Sequence, residues 1–121
     1  MKILVADDSK AMRMIVVRTL RQAGFTGHEI IEAENGQAAY EIAADKGVDL
    51  ILSDWNMPEM TGIEFLRALR ARGKRTPFCF VTSEGSEQMR ELADASGALG
   101  LITKPFTADA FSETLSSVVT K

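Results

Sequence analysis

Five short apolar runs, each bounded by turn or acidic residues, recur along the 121-residue chain at Ile3 to Ala6, Glu29 to Ala33, Asp49 to Ser53, Pro77 to Thr82 and Leu99 to Thr103. Longer segments with helical spacing separate them. Met12, Ile15, Val16, Leu20 and Ala23 mark the first such segment, and Phe111, Leu115, Val118 and Val119 the last. The pattern predicts five strands alternating with five helices. The runs lack clean polar alternation, as expected of a parallel sheet with helices on both faces, so the predicted fold is a doubly wound α/β sandwich. Asn35-Gly36, Gly47, Pro58 with Gly62, Gly73 and Gly97 punctuate the boundaries, and Ser9, Asn35, Ser86 and Thr107 are the expected helix N-caps.

This length fits one domain, expected to occupy residues 1–121 without a separate output domain. Apolar residues make up 45% and charged residues 26%, enough to bury a core. A net charge of −3 lacks the basic footprint of a nucleic-acid binder. The longest stretch free of charged residues, Ala95 to Thr103, is too short to span a bilayer, and no signal-like apolar segment follows Met1-Lys2. We therefore expect a cytoplasmic protein with neither nucleic acid nor membrane as a partner. Cys79, within Phe78-Cys79-Phe80-Val81, reads as core, His28 as a surface loop residue, and the methionines at 12, 14, 57, 60 and 89 as core filling. The Arg67, Arg70, Arg72, Lys74 and Arg75 series reads as a solvated face.

The acids are placed unevenly. Asp7 and Asp8 directly follow the first strand and Asp54 the third. In a doubly wound sheet, ligands bind beyond the carboxyl ends of the strands where strand order reverses. The flavodoxin-like order 2-1-3-4-5, adopted by analogy, brings all three acids to that crevice. Three neighbouring carboxylates are pushed toward protonation unless a cation sits among them, and an all-oxygen set favours a hard ion, Mg2+ best. Thr82, ending the fourth strand, and Lys104, following the fifth, add a hydroxyl donor and a mobile ammonium at the same edge. Such a set could accept a phosphoryl group as an aspartyl phosphate.

The segments Leu4-Val5-Ala6-Asp7-Asp8-Ser9, Ser53-Asp54-Trp55-Asn56-Met57-Pro58-Glu59-Met60-Thr61-Gly62, Val81-Thr82-Ser83 and Thr103-Lys104-Pro105-Phe106 resemble receiver domains of two-component response regulators, especially the stand-alone chemotaxis type. The resemblance spans essentially the whole chain. It implies that Asp54 takes a phosphoryl group from a histidine kinase or histidine phosphotransfer protein. It also implies that Asp8, Asp54 and the Asn56 carbonyl ligate Mg2+, with Asp7 acting through water. Lys104, Thr82 and the amides of Asn56 and Ser83 would contact the phosphoryl oxygens. By the same resemblance Asn56 and Glu84 tune dephosphorylation, here toward moderately fast loss without a phosphatase, and the Lys104-Pro105 peptide is cis.

One position departs from the family pattern: its switch aromatic, three residues before the lysine, is Leu101 here. Glu84, Glu87, Glu91 and Asp94 also outnumber Arg90 at the start of the fourth helix, leaving the downstream partner on the helix 4, strand 5, helix 5 face unidentified. Leu101 gives weight to a phosphorelay carrier or phosphate sink as an alternative. An aspartyl-phosphate hydrolase would place a second acid where Asn56 stands, and a flavin-binding module would not set Asp7 and Asp8 against a phosphate. Beyond its own phosphorylation and dephosphorylation, no enzymatic activity is expected.

Overall fold

Strands that are apolar on both faces need cover on both, and each run forms a parallel strand: β1 (Lys2–Ala6), β2 (Glu29–Ala33), β3 (Leu50–Ser53), β4 (Phe78–Thr82) and β5 (Gly100–Thr103). The expected bounds shift by at most one residue. Helices α1 (Lys10–Gln22), α2 (Gly36–Asp45), α3 (Gly62–Ala71), α4 (Glu87–Ala95) and α5 (Ala108–Leu115) alternate with them. This computed structural model describes residues 1–104 and 106–119, and its strand order is β2-β1-β3-β4-β5, as expected.

Alternation along each strand divides the interior into two layers. Leu4, Ala6, Ile51, Phe78, Phe80 and Leu101 pack with Ala39, Phe65, Leu66, Leu69 and Ala93, contributed by α2, α3 and α4. Ile3, Val5, Leu50, Leu52, Cys79, Val81 and Ile102 pack with Val16, Leu20, Phe111 and Leu115, contributed by α1 and α5. Each fully buried Leu or Phe contributes about 1.5–3 kcal/mol of apolar transfer. Phe65, Phe78, Phe80 and Trp55 form a run of ring contacts with centroids 4.7–5.1 Å apart.

The four expected caps are present, with Ser9, Asn35, Ser86 and Thr107 accepting from the amides of Met12, Ala38, Met89 and Ala110. A fifth cap is present as well: Thr61 and Glu64 exchange side-chain to backbone hydrogen bonds in a capping box at the start of α3.

Other expectations need correction. β2 lies at the sheet edge, and its Glu29 and Glu32 are exposed. Met14 and Ile15 face solvent at 55% and 39% exposure, because the buried stripe of α1 runs through Val16, Thr19 and Leu20. α5 stops at Leu115; Val119 is nevertheless buried, its amide folded back onto the Leu115 carbonyl. Arg70 is no solvated residue. Its guanidinium donates to the carbonyls of Lys74, Thr76 and Gly97, binding the end of α3 to the entry of β4 and to the α4–β5 turn. Cys79 is fully buried as expected, and burial pushes its thiol up to about 12. The expected cis Lys104-Pro105 peptide lies outside the described residues.

Candidate functional site

Parallel register carries the acids to one edge. Ala6 is in register with Ser53 across β1 and β3, so the next residues, Asp7 and Asp54, emerge side by side. The ladder continues one step past the strands: the Asp54 amide donates to the Ala6 carbonyl at 2.9 Å, and the Asp7 amide to the Ala33 carbonyl at 3.1 Å. Oxygens of Asp7, Asp8 and Asp54 all lie within 4.8 Å of one another. The expected convergence is therefore present in the fold.

Burial grades the three acids: Asp7 is buried, Asp54 half-buried and Asp8 exposed. Burial, with the charges of Asp54 and Asp8 adding to it, pushes the Asp7 carboxyl up to about 6 against the pull of the Ser9 amide, which donates to its Oδ1 at 2.8 Å. Asp54 is raised too, mainly by burial and further by Asp8. Three donors oppose that rise: the Trp55 amide at 2.7 Å from Oδ1, the Thr82 hydroxyl and the Asn56 amide. Two carboxyls held above their ordinary range, with a third beside them, form a donor set that a hard divalent cation would relieve. The residues present fit such an ion.

Trp55 also anchors the acceptor loop, its ring 4.7 Å from that of Phe80. Thr82 is buried at the end of β4, and its Oγ1 accepts from the Glu84 amide at 3.4 Å. Asn56, Ser83, Glu84 and Lys104 stand exposed around the rim. Among the described residues no ion pair within 4.0 Å joins Lys104 to the acids. His28 lies at the opposite end of the sheet, ahead of β2, with Nδ1 3.3 Å from the Met1 amino group.

Leu101 is buried against the layer that contains Phe80 and Ala93. Arg90 of α4 donates to its carbonyl at 3.1 Å. A Cβ on Gly85 would meet Thr103 at 2.2 Å and Leu101 at 3.0 Å, so the β4–α4 loop lies directly on β5. Glu84, Glu87, Glu91 and Asp94 are exposed, which leaves the outer face of α4 acidic as expected.

Sequence reasoning missed Arg13, which sits beneath the acidic loop with Nη1 2.6 Å from the Asp7 carbonyl oxygen. Its partner is a backbone oxygen, which leaves no signal in the sequence.

Residues 3–116 match the response regulator receiver domain family. The Pseudomonas aeruginosa chemotaxis protein CheY is 42% identical over 121 residues, covering 98% of this chain and 95% of that protein. Helicobacter pylori CheY1 is 38% identical over 122 residues, covering 98% and 97%. The structure of chemotaxis response regulator CheY4 of Vibrio cholerae superposes with a TM-score of 0.82 at 38% identity, over 98% of each chain.

Proposed function

This chain belongs to the response regulator receiver domain family, as a CheY-like component of two-component signalling, and we propose that Asp54 is its phosphoacceptor in a Mg2+-dependent reaction. Receiver domains of this kind interact with histidine kinases and with downstream targets. The observation that carries the reading is the convergence of Asp7, Asp8 and Asp54 within 4.8 Å, with Asp54 held by the Trp55 amide.

A carboxylate oxygen of Asp54 would attack phosphorus on a phosphohistidine of a kinase or phosphotransfer protein. The P–N bond breaks, and the imidazole leaves with the electron pair and takes up a proton. Asp8, Asp54 and the Asn56 carbonyl would hold Mg2+, with Asp7 acting through water, and the ion bound there would supply positive charge against the phosphoryl oxygens. Thr82 supplies a hydroxyl donor, Lys104 an ammonium, and the Asn56 and Ser83 amides two further donors. Hydrolysis reverses the bonding at Asp54: water attacks phosphorus, and the carboxylate is regenerated with release of phosphate. Asn56 and Glu84, exposed at the rim, would set how readily that water enters. The chain would then promote no reaction beyond its own phosphorylation and dephosphorylation. It would act in the cytoplasm through contacts of the α4, β5 and α5 face.

Incubation with acetyl phosphate and Mg2+, followed by intact mass, tests the reading. A phosphoryl increment on the wild type and none on Asp54→Ala supports it; no increment on the wild type under varied donor and metal conditions rejects it.

A carrier or phosphate-sink role has one observation in its favour: buried Leu101, its carbonyl bound by Arg90, offers no aromatic to swing between surface and interior. Amide chemical shifts of α4 and β5 that stay fixed on phosphorylation would favour the carrier, and widespread shifts the switch.

A further inference from the structure

Arg13 bridges two elements that flank the acidic loop. Its Nη1 donates to the Asp7 carbonyl at 2.6 Å, and its Nε donates to Oε1 of Glu32 on β2 at 2.8 Å. The arginine side chain is only 12% exposed, against 49% for Glu32. An ion pair with so exposed a partner adds little stability, so its interest lies in the geometry it imposes.

The Asp7 carbonyl belongs to the peptide that joins two of the three clustered acids. Asp7 is fixed from every side: its amide donates to Ala33, its carboxylate accepts from Ser9, and its carbonyl accepts from Arg13. Asp8 is exposed, and among the described residues no backbone amide holds its carboxylate. The peptide before Asp8 therefore sets where its side chain starts, and the carboxyl then meets that of Asp7. A guanidinium is planar and directs its Nε and Nη1 donors in fixed, divergent directions from two different edges, so simultaneous bonds to Glu32 and to the Asp7 carbonyl hold that carbonyl in place; an ammonium cannot copy this fixed divergence. Without Glu32 the guanidinium would keep its bond to the Asp7 carbonyl but lose the second point that orients it.

We infer that Arg13 is a positioning residue for the metal site, acting through the Asp7–Asp8 peptide, and that Glu32 is its tether. The inference rests on the Mg2+-dependent reading given above.

The test is Mg2+ affinity of the full chain by calorimetry, with the acetyl phosphate rate followed across a Mg2+ series. Arg13→Ala is expected to raise the Mg2+ Kd about tenfold, the low end for partners that orient ligands, while the rate at saturating Mg2+ stays within about twofold of wild type. Arg13→Lys should recover little of the affinity. Glu32→Ala should weaken binding, Glu32→Gln, which keeps an acceptor, should restore it, and Arg13→Ala/Glu32→Ala should bind no worse than Arg13→Ala. A wild type that binds Mg2+ beside an Arg13→Ala chain with the same Kd overturns this inference alone, as does an Arg13→Lys chain equal to wild type. A wild type that does not bind Mg2+ overturns the underlying reading and this inference with it. Should Arg13→Ala fail to fold by circular dichroism, Arg13→Lys and the two Glu32 variants decide the matter on the same measurements.

Discussion

A Cβ placed on Gly62 would lie 2.2 Å from the carbonyl oxygen of Asp54. The Gly62 amide in turn donates to the Trp55 carbonyl at 2.7 Å, so the first turn of α3 is seated on the backbone of the proposed phosphoacceptor. Phe80 closes the other side, 2.9 Å from the same Cβ position. Gly62→Ala should cost about 1–3 kcal/mol through overpacking. Because the displaced backbone is that of Asp54, phosphorylation should slow as well. Urea unfolding and the rate of mass gain with acetyl phosphate measure both, and wild-type values in both would contradict this packing argument.

The Asp7 carboxyl titrates at about 6 in the fold against an ordinary 3.8. Between those values the folded chain holds more protons than the unfolded one, so without metal stability falls as pH rises across that window. The penalty is absent below the lower value and complete above the upper. The raised Asp54 carboxyl acts with the same sign. Asp7→Asn should flatten the slope by no more than about 1.4 kcal/mol per pH unit, the limit for one proton, and stabilise the metal-free protein at neutral pH. Denaturant midpoints from pH 4 to 8 check this. A wild-type slope rising with pH across that window would show that other groups dominate.

Arg70 reaches three carbonyls, two in the α3–β4 connection and one in the α4–β5 turn, at the end of the molecule away from the acids. Arg70→Ala should destabilise by about 2 kcal/mol, since its hydrogen bonds are charge-assisted but partly wet. Saturating phosphorylation should not change. Thermal unfolding alongside endpoint mass would separate the two effects, and a loss of phosphorylation in a folded Arg70→Ala chain would show that the two ends are coupled.

Asn56 and Glu84 are both exposed, each two residues beyond Asp54 and Thr82, so under the proposed reading water would reach an acyl phosphate at Asp54. The phosphoryl group should be lost without any phosphatase, and substitutions at either position should alter its lifetime without preventing its formation. Decay of the phosphorylated mass after removal of donor gives the lifetime. Persistence for many hours in Mg2+ buffer would contradict an open path.

Much of this was legible because one-dimensional order became a spatial edge. A parallel sheet aligns the ends of its strands, so residues following Ala6 and Ser53 had to meet once strands one and three were neighbours. The apolar runs showed the strands; the neighbour relation came by analogy, since no local signal in a strand states which strand lies beside it. Arg70 and Arg13 were not legible for a related reason. Each binds backbone carbonyls brought near by tertiary structure, and a carbonyl acceptor leaves no mark on residue type. Thr61 and Glu64 were readable, being a Thr and a Glu three apart before an apolar segment, but Pro58 and Gly62 drew attention to the turn instead. Met14 and Ile15 are apolar in type yet face solvent, because the buried stripe of α1 has room for fewer residues than its sequence offers.

The burial of Cys79 has a practical side. Its thiol, the sole one in the chain, is enclosed in the sheet and held far above neutral pH, so maleimide reagents will find no thiolate there. A cysteine introduced at an exposed position on α4, such as Glu87, would be the single reactive handle. A fluorophore or spin label could then be attached to the outer face of α4 without first removing a native residue from the core, and conformational change at that surface followed in otherwise unaltered protein.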